Sequence, residues 1–191
     1  QWGDDVKGLC DALGIVKPVV LGQSFGGFVA QRYLARHPDH PARVVLSSTS
    51  PHMGLARKLA MFEQLGGPEA RRVAEAFWTA PNADTWAVYN QVCMHLYNTQ
   101  PPRDADARAR IVFNTDILFT SAGGEQRTMN LLPGLAAVRC PVLVMAGEKD
   151  PVCPLQDSRD IAAAIPAPWG RLVTFANSGH GAWRDEPDAA F

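Results

Sequence analysis

Apolar residues open the chain at helical spacing. Trp2, Val6, Leu9 and Leu13 recur every three or four positions, Asp4 and Asp5 come early and Gly14 closes the stretch, which predicts an amphipathic helix with a glycine stop. A short β-branched run, Pro18–Leu21, lies between Lys17 and Gly22 and reads as a buried strand. Helical period returns from Gly26 to Arg36 through Phe28, Tyr33 and Leu34, and Arg43–Ser48 reads as a second strand. Helix, strand, helix, strand is the order of parallel α/β construction.

Between about Pro51 and Val138 the strand signal disappears. Helical patterns run through Leu55–Leu65, Glu69–Phe77, Thr85–Tyr97 and Ala105–Phe119, broken at Gly66-Gly67, Pro81, Pro101-Pro102 and Gly123-Gly124. Strand chemistry resumes at Pro141–Ala146. The loop Gly147–Pro154, a helix near Asp157–Ile165 and a last strand, Arg171–Phe175, then lead into Asn177–Gly181. The expected architecture is α/β, a mostly parallel sheet flanked by helices, with core residues 1–50 and 139–191 and a helical cap inserted at 51–138. The chain begins at Gln1 inside a helical pattern, and Glu186–Phe191 reads as the start of another helix. It is therefore expected to be a fragment without its N-terminal strands and C-terminal helix.

Composition narrows the function classes. With 191 residues, 47% hydrophobic and 19% charged, the chain can bury one sizeable core. A formal net charge of -1 gives no electrostatic case for nucleic acid or an anionic membrane surface. No apolar run approaches the roughly 20 residues that span a bilayer. Cys10, Cys93, Cys140 and Cys153 lie far apart without a paired C-x-x-C, which argues against a zinc site and favours free thiols in a reducing compartment, the cytoplasm.

The strongest chemical signal is Gly22-Gln23-Ser24-Phe25-Gly26, followed by Gly27, at a predicted strand-to-helix junction. A G-x-S-x-G pattern there lifts the serine hydroxyl above the sheet, and small residues at Gly22 and Gly26 let strand and helix approach. A serine hydroxyl needs a base within hydrogen-bond reach, and the chain order to look for is serine, acid, histidine. Asp150, in Gly147-Glu148-Lys149-Asp150-Pro151, and His180, between Gly179 and Gly181, both follow strands. Of the other histidines, His37 and His40 flank Pro38, His52 reads as a solvated loop residue and His95 as a helix residue of the cap. Asp157 and Asp160 compete with Asp150 but read as solvated groups on a surface helix.

The segments Gly22–Gly27, Val142–Pro154 and Gly179–Pro187 resemble the α/β-hydrolase superfamily, nearest to its proline iminopeptidase-like, esterase and enol-lactonase branches. The resemblance implies a metal-free, cofactor-free site with Ser24 as nucleophile, His180 as general base and Asp150 as the acid orienting the histidine. It also implies that the backbone N–H of Phe25 is one oxyanion donor, the second coming from a loop upstream of Gln1.

The expected activity is hydrolysis of a carboxylic ester, lactone or amide through an acyl-enzyme, on a small molecule or short peptide. Gln23 and Phe25 depart from the Gly-x-Ser-Trp-Gly elbow common in proline iminopeptidases, so an esterase or lactonase is preferred to an aminopeptidase. Cofactor-free haloperoxidase, perhydrolase and carbon–carbon hydrolase chemistry share the triad and stay open, as does a catalytically inactive binding protein on the same fold. Gln23, Trp78, Trp86 and Tyr89 are candidate substrate contacts, and Phe77 and Tyr97 are further cap aromatics that could line the pocket, although packing of cap helices is the plainer role for the aromatics. Glu63, Glu69, Glu75 and Glu125 are candidate partners for a substrate amine, or solvated helix charges.

Overall fold

The computed structural model describes residues 1–102, 104, 106, 110–112 and 114–191. In chain order its elements are α1 (Trp2–Ala12), β1 (Val19–Gln23), α2 (Phe25–Arg36), β2 (Arg43–Ser47), α3 (Leu55–Thr79), α4 (Ala83–Val92), α5 (Thr115–Gly123), α6 (Leu132–Leu135), β3 (Val142–Gly147), α7 (Leu155–Ala164), β4 (Gly170–Phe175), α8 (Ala182–Asp185) and α9 (Pro187–Ala190). Short 3₁₀ turns lie at Met94–Leu96 and Glu125–Arg127.

The strands form one parallel sheet in the order β1-β2-β3-β4. Leu21 pairs with Val45, Val45 with Leu143, and Val144 with Leu172. Parallel neighbours need crossovers, and helices supply them: α2 between β1 and β2, α7 between β3 and β4, and the whole helical block from α3 to α6 between β2 and β3. Inward-facing Val44, Leu46, Val142 and Val144 pack with Ala30 and Leu34 of α2, Leu135 of α6 and Ile161 of α7 to make the core of one face. On the other face Met145 and Phe175 meet Ala182 of α8.

β1 corrects the expectation of a fully buried strand. Val19 and Leu21 are 68% and 64% exposed, because α2 covers only the face bearing Val20 and Gly22, and α1 packs on α2 rather than on the sheet. Burial on both faces needs helices on both faces.

The helical block has its own apolar centre of Phe62, Ala70, Val73, Phe77, Trp78, Tyr89 and Cys93. The two helices expected over Leu55–Leu65 and Glu69–Phe77 run on as α3 across a kink where Gly67 has φ 74 and Pro68 opens the second half. Asn82 caps α4 by accepting from the Asp84 and Thr85 N–H groups, and the Thr85 hydroxyl accepts in return from the Asn82 N–H. The helix expected over Thr85–Tyr97 stops at Val92 and tightens into the 3₁₀ turn. Of the helix expected over Ala105–Phe119, residues 105, 107–109 and 113 lie outside the described residues, and the described helix starts at Thr115 with Asn114 as its cap.

Candidate active site

The strand β1 passes into α2 with a single residue between them, Ser24, whose φ of 53° and ψ of −117° lie in a region side chains seldom adopt. Such a conformation costs on the order of 1–3 kcal/mol and persists only where the surroundings enforce it. Here the Ser24 N–H donates to the Ser47 carbonyl at 3.0 Å, and the Ser24 carbonyl accepts from the Gly27 N–H and the Thr49 hydroxyl, each at 2.9 Å. The close approach of strand and helix rests on Gly22 and Gly27, not on the expected Gly22 and Gly26. A Cβ on Gly22 would lie 2.6 Å from the Gly26 carbonyl oxygen, one on Gly27 would fall inside the Thr49 side chain, and one on Gly26 would meet open space. Gly27→Ala is accordingly expected to destabilise the fold by about 1–3 kcal/mol, whereas Gly26→Ala stays within about 0.5 kcal/mol. Urea unfolding of both variants measures the contrast, and equal losses would remove this account of the elbow.

Asp150 sits just beyond β3 and is fully buried. Its Oδ1 accepts from the backbone N–H groups of Val152 and Cys153, both at 2.8 Å, so one turn fixes the carboxylate and turns Oδ2 towards His180. His180 stands beyond β4, with Nδ1 2.9 Å from that Oδ2 and Nε2 2.9 Å from the Ser24 hydroxyl. Residues from the ends of three parallel strands, far apart in the chain, thus meet at one rim of the sheet. Burial pulls the His180 pKa down, but the charge and the hydrogen bond of Asp150 outweigh it and hold the imidazole above its usual value of 6.5. Phe25, the first residue of α2, carries a backbone N–H for which a helix offers no internal partner, at the positive end of the helix dipole.

The seat of His180 is built half from the sheet and half from the helical block. Its backbone N–H donates to the Tyr97 carbonyl, and its ring stands edge-on to the Tyr97 ring at 5.4 Å and 78°. Asp185, 7% exposed, gathers the neighbouring chain: Oδ2 accepts from the Gly179 N–H at 2.8 Å and the Thr99 N–H at 3.2 Å, and Oδ1 from the Gln100 N–H at 3.4 Å. Glu186 accepts from the Asn177 N–H and the Ser178 hydroxyl. Lys58, 1% exposed on α3, donates to the Val152 carbonyl and lies 5.4 Å from the Trp78 ring centre, pinning the Asp150 turn to the helical block. Of the cap aromatics expected to line a pocket, Tyr97 does so, whereas Asp185, Glu186 and Lys58 were not legible as site residues. Only the Pro101-Pro102 pair hinted that a loop follows Tyr97.

A cleft of about 830 Å³ opens beside His180, walled by Met94, Tyr97, Asn98, Gln100, Trp183 and Arg184 among others. Gln23 reaches this neighbourhood, its side-chain oxygen 3.4 Å from the Trp183 indole N–H. Trp78, Trp86 and Tyr89 do not wall the cleft. They pack with Phe77 in the centre of the helical block, and Tyr89 touches the site only at one remove, through its hydroxyl on that of Tyr97 at 2.8 Å. Glu63 and Glu125 pair with Arg71 and Arg32 and, like Glu69 and Glu75, lie away from the cleft wall.

Asp157 is fully buried rather than solvated, because Arg57 of α3 docks over α7 and bridges it to Asp160 at 2.7 and 2.6 Å. His52 is half-buried, its backbone paired with Asn130. Among the described residues two groups have ligand atoms close enough to hold a metal ion: Asp150, Cys153 and His180, and His52, Asp157 and Asp160.

The parallel sheet, the strand–Ser24–helix junction and the hydrogen-bonded line of hydroxyl, imidazole and carboxylate at its rim are the arrangement of α/β hydrolases. The chain belongs to this family, whose profile, described as the alpha/beta hydrolase fold, matches residues 3–187. It is 28% identical, over 97% of its own length and 68% of the relative's, to the AB hydrolase superfamily protein YisY of Bacillus subtilis (strain 168). Against the proline iminopeptidase PfmaB of Pestalotiopsis fici the identity is 26%, over 93% of this chain and 66% of that protein. A solved hydrolase from Pseudomonas aeruginosa PA01 superposes with a TM-score of 0.68 at 30% identity, covering 98% of this chain and 67% of that one. The chain spans about two thirds of the length of these proteins.

Proposed function

We propose that the protein is a serine hydrolase that cleaves a carboxylic ester, lactone or amide through an acyl-enzyme. The observation that carries this reading is the line from the Ser24 hydroxyl through His180 to Asp150, with 2.9 Å at each hydrogen bond. In the first half-reaction Ser24 Oγ attacks the substrate carbonyl as its proton passes to His180 Nε2. Asp150 holds the Nδ1–H tautomer and stabilises the imidazolium without taking the proton. The oxyanion that forms faces the Phe25 N–H, a donor of a kind worth about 3 kcal/mol in the transition state. The imidazolium then protonates the leaving group, and water, activated by the same histidine, releases the acid.

Two features favour an ester or lactone over a peptide amine. The elbow carries Gln23 and Phe25 in place of the iminopeptidase pattern, and none of the four glutamates considered for an amino group reaches the cleft. The cleft volume suits a small-molecule substrate. The helical block, 51–138, acts as the cap that supplies its wall. Four free, buried cysteines fit a reducing compartment such as the cytoplasm, and no described helix is long and apolar enough to cross a membrane.

A fluorophosphonate probe tests the reading. Covalent labelling is expected at Ser24, with turnover of p-nitrophenyl esters exceeding that of proline β-naphthylamide. Absence of labelling in the folded protein would instead assign a binding role to the fold. Faster cleavage of the proline amide would transfer the site to the peptidases.

A further inference from the structure

We propose that Asp150, Cys153 and His180 form a binding site for a zinc-like divalent cation, whose occupancy switches the Ser24 centre off. The inhibitory effect rests on the serine-hydrolase reading above; the site itself rests on geometry. One four-residue turn presents two of the ligands. Its backbone N–H groups occupy Asp150 Oδ1, leaving Oδ2 free of the turn, and Cys153 ends the same turn with a thiol that makes and breaks no bond in the proposed hydrolysis. His180 Nδ1 lies 2.9 Å from Oδ2, and one ligand atom from each of the three residues lies within 4.8 Å of the other two.

Tetrahedral zinc takes sulfur at about 2.3 Å and nitrogen or oxygen at about 2.0–2.2 Å, which spaces its ligands roughly 3.3–3.7 Å apart. Binding therefore asks the buried Cys153 thiol and the imidazole to draw in from a separation of up to 4.8 Å. Thiolate, imidazole and carboxylate are zinc's own ligand types, whereas magnesium and calcium ask for oxygen alone. His180 walls the cleft, and Asp150 and Cys153 lie behind it, 0% and 2% exposed, so a cation enters as the imidazole swings aside. The group of His52, Asp157 and Asp160 is a poorer host, because the Arg57 guanidinium already bridges its two carboxylates.

The proton balance explains the inhibition. The cation bonds to Cys153 Sγ, whose proton leaves to solvent, and to His180 Nδ1, whose proton moves to Nε2. The Asp150 Oδ2–His180 hydrogen bond gives way to two metal bonds, and a water fills the fourth position. With its proton on Nε2, the imidazole no longer accepts one from Ser24.

The experiment compares each protein with itself, with and without metal. One equivalent of Zn²⁺ is expected to suppress fluorophosphonate labelling of the wild-type protein, EDTA to restore it, and Mg²⁺ to do nothing. Co²⁺ is expected to give a thiolate-to-metal charge-transfer band. Cys153→Ser, with Cys153→Ala as the alternative should it fold poorly, is expected to lose the band. It should need at least about 10–100-fold more Zn²⁺ for the same suppression, the loss that follows from removing even an outer partner of a metal ligand. Equal zinc sensitivity in wild type and variant, or no cobalt–thiolate band in the wild type, overturns the proposal. A wild type that fails to label without metal refutes the hydrolase reading instead, and the cobalt spectrum then still decides the site.

Discussion

Ser24→Ala is expected to lower kcat by about 10⁶-fold, the loss seen when the nucleophile of such a triad is removed and the remaining groups have nothing to activate. The structure makes this substitution close to a pure functional probe. Alanine keeps the Cβ that already sits at φ 53°, so no new backbone strain arises, and the bond lost is the one from the hydroxyl to His180. Ser24→Gly is the companion variant. Glycine adopts positive φ without steric cost, so it should be equally inactive and yet more stable by roughly 1 kcal/mol. Thermal unfolding together with ester turnover separates the two effects, and an alanine variant retaining a tenth of the activity would end the claim that Ser24 is the nucleophile.

Asp150→Asn carries the second large effect, about 10⁴-fold in kcat. The asparagine oxygen can still accept from the Val152 and Cys153 N–H groups, which leaves its amide –NH₂ facing His180. Two donors cannot pair, so the imidazole takes the other tautomer and turns an N–H towards Ser24. The pH profile supplies an independent check. Burial is the largest single influence on His180 and lowers its pKa, while Asp150, helped by Cys153, raises it further than burial lowers it. The base form is the one required, so wild-type kcat/KM should rise with pH through an apparent pKa above 6.5. With the Asp150 charge gone the balance turns towards burial, and the limb should move to lower pH. A limb that stays in place in the variant would mean that Asp150 does not set the basicity of the imidazole.

The sheet and the three facing side chains could be read from the chain because their signals are local. Short β-branched runs mark the strands, and strained turns need glycine or a carboxylate at fixed offsets. What escaped the sequence depends on contacts between distant segments. Asp185 carries no signal of its own until the Thr99 and Gln100 N–H groups arrive from 86 and 85 residues away. Lys58 looks like a solvated lysine until α3 docks and buries it. Asp157 was misplaced at the surface for the same reason, since Arg57 comes from 100 residues earlier. The elbow glycines show the limit even of local reading. The motif names Gly26, but the Thr49 side chain, two residues beyond the end of β2, makes Gly27 the position without room.

The attachment of His180 to Tyr97, together with the grip of Asp185 on both Gly179 and residues 99–100, has a mechanical corollary. The wall that must yield to a bulky guest and the imidazole proposed as proton acceptor are tethered to one another. A guest that pries the wall outward drags the acceptor off the hydroxyl, so discrimination by size falls on the speed of the chemical step rather than on the strength of association.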